Sequence, residues 1–130
     1  MSRTRVVHIR ASYDVYIGRA GNGEDGYFGN PFRGLERAAS IAAFRAGFDK
    51  RIWTDVEFAD RVLKLRGKRL GCFCKPLACH GDVIAAWVDS CRCEGCEEAY
   101  ADYAVADPNR EGMAYPDPKT VVYLCSECAK

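Results

Sequence analysis

Residues 70–83 read Leu70-Gly-Cys-Phe-Cys-Lys-Pro-Leu-Ala-Cys-His-Gly-Asp-Val83, which places three cysteines and one of only two histidines within nine residues. An apolar, β-rich run enters this stretch at 70–74, and a helix-like run leaves it at 83–88. A strand that passes through a short loop into a helix is where α/β proteins collect reactive groups. The helix start offers free N–H groups and the positive end of a dipole. A thiol placed there has a lowered pKa and becomes a better nucleophile or metal ligand. The stretch therefore predicts both an α/β fold and a site.

Upstream, residues 5–10 and 14–18 read as two β-strands from their β-branched and aromatic content. The link between them is short, which predicts an antiparallel pair, because parallel neighbours ordinarily need a dozen or more connecting residues. A loop over residues 18–34 then carries six glycines together with Arg19, Asn30, Pro31 and Arg33. Glycines permit close backbone approach to a phosphate, and arginine supplies charge. The same loop also fits a solvated surface segment whose aromatics cover the edge of the core.

Residues 35–50 carry a helical pattern with Ala38, Ile41, Phe44 and Phe48 on one face. A second helix is predicted from Thr54, which has capping-box spacing to Glu57 and ends at Gly67. A third strand is expected over 68–74 and a third helix over 82–89. This alternation predicts a small Rossmann-like mixed sheet packed with helices.

Downstream, Cys93-Glu-Gly-Cys96 and Cys125-Ser-Glu-Cys128 are two C-x-x-C pairs separated by 28 residues. Each pair lets two thiolates converge on one ion, and two pairs complete the tetrahedron that structural Zn²⁺ prefers. Val121 to Leu124 reads as a strand entering the second knuckle. The segment between the pairs, with Pro108, Gly112, Pro116 and Pro118, has too few apolar residues for a core of its own, so a metal staple makes physical sense. One structural Zn²⁺ on Cys93, Cys96, Cys125 and Cys128 is expected, with pairing of Cys91 and Cys96 the other arrangement the spacing permits.

Charge marks the same boundary. Residues 1–90 carry 15 basic and 10 acidic side chains, and residues 91–130 carry 4 and 8. The division predicted is an α/β domain at 1–90 and a zinc-ribbon-like module at 91–130. Neither a signal peptide nor the roughly 20 apolar residues of a membrane span is present, which points to the cytoplasm. Eight cysteines in that compartment argue for metal or thiol chemistry rather than disulfides.

Three readings fit the first cluster. Cys79 with His80, near Asp82, forms a functional thiol site at the helix start. Alternatively Cys72, Cys74, Cys79 and His80 bind a second Zn²⁺, although adjacent Cys79 and His80 would strain to reach one ion. In the third, the cysteines are small buried hydrophobes and His80 orders the turn.

Four segments carry a resemblance: Tyr13-Asp-Val-Tyr-Ile-Gly-Arg19, Gly29-Asn-Pro-Phe32, Leu65-Arg-Gly-Lys68, and the stretch from Leu70 to Val83. Together they resemble the domain-of-unknown-function 4326 family of small phage and microbial proteins, over roughly residues 5–90. The family often has Trp before its Gly-Asn-Pro-Phe motif, where this chain has Phe28. The resemblance implies that Arg19, Asn30, Cys79, His80 and Asp82 belong to the family signature. It implies no activity, and the C-x-x-C pairs lie outside the family pattern.

The first functional expectation is therefore a zinc-binding α/β protein with a site for a small anionic, nucleotide-like ligand. Arg19, Asn30 and Arg33 would hold the ligand, and Cys79, His80 and Asp82 would supply chemistry. The second is a phage-type adaptor that binds a host protein or another copy of itself. The third is nucleic-acid binding through the basic residues Arg61, Lys64, Arg66, Lys68, Arg69 and Lys75. The acidic charge of residues 91–130 argues against that role for the ribbon.

Overall fold

A computed structural model of the chain describes residues 3–21, 23–32, 34–75, 77–106 and 120–129. Arg33 and the proline-bearing segment between the two C-x-x-C pairs (Pro108, Gly112, Pro116 and Pro118) lie outside the described residues. The chain is mixed α/β, with three helices and two small sheets among the described residues. The order is β1 (Arg5–His8), β2 (Val15–Tyr16), α1 (Arg37–Thr54), α2 (Val56–Leu63), β3 (Arg69–Cys72), α3 (Gly81–Ser90), β4 (Tyr103–Ala106) and β5 (Val121–Leu124).

Two compact units divide the chain. The first comprises Met1–Ala46 and Leu65–Asp89, and the second Gly47–Lys64 and Ser90–Lys130. The division falls inside α1, so residues 47–64 group with the C-terminal residues rather than with the first 46.

In the first unit the strand order is β1-β3-β2, with both outer strands parallel to β3. The expected antiparallel pairing of β1 with β2 is corrected: β3 lies between them. Two features let a short link do this. His8 pairs with Cys72 and Val15 with Leu70, so the chain steps back only two positions along β3 between the strands. That is about 7 Å at the usual strand rise. The link also crosses where β3 has no side chain: a Cβ on Gly71 would lie 2.7 Å from the Tyr13 ring. Asp14 then fixes the register, since its N–H donates to Arg69 O at 2.8 Å and its carboxylate accepts from Arg69 N at 2.8 Å.

Helix α3 covers this sheet through Val83, Ile84 and Val88, which are buried with Ile17 and Leu70. Its entry is close-packed, because a Cβ on Gly81 would meet Ile17 Cδ1 at 2.4 Å and a Val6 methyl at 3.0 Å. Its far end is tied down by Arg66 Nε, which donates to Val88 O at 2.9 Å, and by Asp89, which accepts from Thr4 N at 3.0 Å. Trp87 lies on this helix.

In the second unit, α2 begins one residue later than Thr54–Glu57 spacing predicts. Thr54 closes α1 by donating its hydroxyl to Lys50 O at 3.0 Å, a back-bond typical of mid-helix threonine. Asp55 is the N-cap, in extended conformation, and its carboxylate accepts from Phe58 N at 3.1 Å. Phe48, Ile52, Phe58, Ala59 and Val62 are buried, with the Phe48 and Phe58 rings edge-on at 5.8 Å. Strands β4 and β5 pair antiparallel over four residues. Tyr123 at the middle of β5 stacks edge-on against Trp53 at 5.2 Å, and its hydroxyl donates to Ile52 O. Asp60 accepts from Ala104 N at 3.2 Å. The C-x-x-C pairs thus belong to a core that includes the end of α1 and all of α2.

Candidate functional site

The strand-to-helix corner brings Cys72, Cys79 and His80 together. Cys72 ends β3, and Cys79 and His80 immediately precede α3. All three are buried, Cys79 to 1% exposure. Their ligand atoms all lie within 4.8 Å of one another. Cys79 Sγ donates to Cys72 Sγ at 3.2 Å and lies 3.5 Å from His80 Nδ1. Gly81 N donates to Cys79 Sγ at 3.3 Å.

His80 is oriented from its far side. Nε2 lies 2.8 Å from Ile17 O and 3.1 Å from Phe28 O. Carbonyl oxygens only accept, so Nε2 carries a proton and Nδ1 is the ring nitrogen turned toward the sulfurs. The Phe44 ring packs edge-on against the imidazole at 4.9 Å. The contact to residue 28 is through its carbonyl, so the Phe28 side chain is not needed to make it.

The two thiols are shifted in opposite directions. The Cys79 S–H bond pulls the Cys72 thiol down to about 3, opposed by burial and helped by His80. Cys79 is pushed well up by its bond to Cys72 and by burial. Sequence reasoning chose Cys79 as the activated thiol because of its place at the helix start; its bond to Cys72 favours charge on the Cys72 sulfur at the strand end. Cys74 is only half-buried and stands outside the three-residue cluster.

Asp82 organises the turn. Its carboxylate accepts from Cys79 N at 3.1 Å and pairs with Lys75 at 2.7 Å. Asn30 and Arg19 shape the glycine-rich loop. Asn30 Nδ2 donates to Ser40 Oγ at 2.8 Å, while its Oδ1 accepts from Phe32 N at 3.0 Å. Arg19 donates from Nε to Asn30 O and from Nη2 to Phe32 O, both at 2.8 Å.

A cavity of about 430 Å³ opens over this corner. Arg19, Asn30, Cys72, Cys74, Cys79 and His80 all line it, so the loop and the corner predicted from sequence share one space. Asp82 is not among its walls. Sequence reasoning missed Arg37, which also lines the cavity and donates from Nη1 to Ala78 O at 3.1 Å. Its only signal was a basic residue at the start of the helix after the glycine-rich loop. No carboxylate is among the described residues lining the cavity. Phe73, 58% exposed, and Leu35 stand in its walls as apolar surface.

In the second unit, Cys93, Cys96, Cys125 and Cys128 place their sulfurs within 4.8 Å of one another, a geometry suited to a metal ion. Cys93 Sγ accepts from Gly95 N at 3.3 Å and Cys96 N at 3.5 Å. The Cys96 N–H, followed by those of Cys125 and Gly95, pulls the Cys93 thiol down to about 6 against burial. Neighbouring sulfurs, Cys93 first, push Cys128 up to about 12. A Cβ on Gly95 would lie 3.0 Å from Cys128 Sγ, so the knuckle is tight at this position. Cys91 stays outside this group.

Most of the basic residues proposed for nucleic acid are engaged. Arg61 pairs with Glu57 and Lys64 with Asp60, each at 3.6 Å. Arg69 pairs with Asp14 at 3.5 Å, and Lys75 with Asp82. Arg66 is bonded to Val88 O. Among the described residues no helix is long and apolar enough to cross a membrane.

The model of a family described as "Domain of unknown function (DUF4326)" matches residues 1–90. The chain is also 40% identical over 85 residues to an uncharacterized 12.4 kDa protein of the nrdA-td intergenic region of Enterobacteria phage T4, covering 62% of this chain and 73% of that protein. No solved structure matches. The four-cysteine group lies beyond the family match.

Proposed function

The chain belongs to the DUF4326 family, and on that premise we propose that its first unit binds a small anionic, nucleotide-like molecule in the cavity over the Cys72–Cys79–His80 corner. One observation carries the reading: a cavity within the usual size of small-molecule sites, with two arginines and no carboxylate among its described walls, has three cysteines and an imidazole on its surface. Arg19 and Arg37 each spend part of their guanidinium on backbone carbonyls, which fixes the side chain in place. The remaining N–H groups are available to a phosphate or carboxylate at little further ordering cost. Phe73 offers an exposed ring for a base or another flat apolar group. Chemistry, where it occurs, belongs to the corner rather than to Asp82, whose carboxylate is committed to Cys79 N and Lys75. The cavity around His80 supports this reading over an adaptor protein, which has no use for it.

The four cysteines of the second unit hold one structural zinc ion, because four thiolates in knuckle turns favour a tetrahedral, redox-silent metal.

Inorganic pyrophosphate, a nucleoside monophosphate and a nucleoside triphosphate, titrated calorimetrically, test the ligand site. Arg37→Ala weakens binding of all that bind by about tenfold. Phe73→Ala weakens the nucleotides and spares pyrophosphate. Binding weaker than millimolar for every probe, or binding indifferent to Arg37→Ala, rejects the reading.

A further inference from the structure

We infer that Cys72, Cys79 and His80 form a second metal site, holding a zinc ion through two thiolates and one imidazole with its fourth position open to the cavity. The site deepens the ligand reading, since it shares that cavity, but its geometry stands without any ligand. Neither the family match nor the C-x-x-C pairs assign it.

Three features carry the inference. The first is convergence. Adjacent residues rarely reach one ion, yet Cys79 Sγ and His80 Nδ1 are 3.5 Å apart and both face Cys72, because the chain turns between β3 and α3. Zn–S bonds of about 2.3 Å and Zn–N bonds of about 2.0 Å in a tetrahedron imply S···N edges of about 3.5 Å and S···S edges of about 3.8 Å. The imidazole edge already has that length. The two sulfurs, at 3.2 Å, need to part by roughly half an ångström to reach the tetrahedral edge.

The second is the outer support of the histidine. Metal-bound imidazoles characteristically donate their other N–H to a carbonyl or carboxylate, which fixes the ring and its tautomer. His80 Nε2 has two such partners, Ile17 O and Phe28 O, leaving Nδ1 as the ring nitrogen that faces the sulfurs. His80 is 5% exposed, so this orientation is built into the core. The third is sulfur support. Gly81 N–H points at Cys79 Sγ, as Gly95 and Cys96 N–H groups point at Cys93 Sγ in the four-cysteine group.

The open position follows from the walls. All three ligand residues line the cavity. Three protein ligands with a free position facing a cavity is the arrangement of metal centres that bind a water or a substrate atom, whereas structural sites are closed by a fourth protein ligand. Cys74 lines the same cavity but stands outside the cluster, so it is the control.

The test is metal content and X-ray absorption at the zinc edge on the full-length protein, dialysed against a weak chelator. The expected result is two ions per chain with an imidazole signature. His80→Gln and Cys79→Ser reduce content to one ion, and His80→Gln removes the imidazole signature. Cys74→Ser leaves both unchanged. One ion per chain in the intact protein, or two ions with purely sulfur coordination, overturns the site. Loss of the second ion in Cys74→Ser overturns the open position. If two ions with imidazole are found while pyrophosphate and nucleotides fail to bind, the metal site stands and the ligand reading falls.

Discussion

The two cysteine clusters gather their thiols by opposite means. The four-cysteine group repeats one turn twice: Glu97 N donates to Cys93 O at 2.9 Å, and Ala129 N donates to Cys125 O at 3.0 Å. Two of its cysteines, Cys96 and Cys128, are exposed. The corner cluster has no repeat. It joins a strand end to a helix start, is wholly buried, and takes its third ligand atom from an imidazole held by loop carbonyls. Local turn geometry draws together each half of the first group, whereas tertiary packing must come first for every contact in the second. An ion should therefore make the fold around the knuckles, while around the corner the fold makes the site.

Chelation gives the largest effect that separates them. Removing metal should abolish amide-exchange protection in β4 and β5 while β1 and β3 keep theirs, because structural zinc contributes on the order of 10 kcal/mol to folding small metal modules. Equal loss in both units would break the contrast. Next is Gly81→Ala, whose added methyl has no room against Ile17 and Val6. It should destabilise the first unit by about 2 kcal/mol in denaturant unfolding, the usual size of an overpacking penalty. An unchanged midpoint would mean the corner is not set by packing.

A smaller effect of opposite sign is expected at Glu97, a non-glycine residue with φ of 62° just after the first knuckle. Glu97→Gly should stabilise the metal-loaded second unit by about 1 kcal/mol by relieving that conformation. A loss of stability would show that the Glu97 side chain contributes more than its backbone strain removes. Smallest is the pH response of the first unit. Asp14 is held below the usual carboxylate range chiefly by the Arg69 N–H. A depressed folded-state pKa gives stability that is present above about pH 4 and lost as pH falls through the folded value. Asp14→Asn should flatten acid unfolding of the first unit at low pH and leave metal content untouched.

Much of this was legible where a signal is local. C-x-x-C spacing marked the four-cysteine group because the turn is made by neighbouring residues. The passage from Leu70 through the cysteines into α3 was legible for the same reason, as were Gly67, which turns the chain with φ of 76°, and the strand at Val121. What escaped depends on distant partners. The parallel placement of β1 and β2 rests on Tyr13 lying over Gly71, residues 58 positions apart in sequence. Strand β4 carries only Ala104 as a buried side chain, too little pattern to read without β5 beside it. That Arg19 and Asn30 also tie the loop together, through the carbonyls of the loop and the Ser40 hydroxyl, leaves no trace in composition.

The edge-on stack of Tyr123 against Trp53 has an optical consequence. The chain has only two tryptophans, Trp53 in the second unit and Trp87 in the first. Each unit thus carries its own fluorophore. Emission from Trp87→Phe protein reports the knuckle-bearing unit, and emission from Trp53→Phe protein reports the cavity-bearing one, so the two can be followed separately in paired samples.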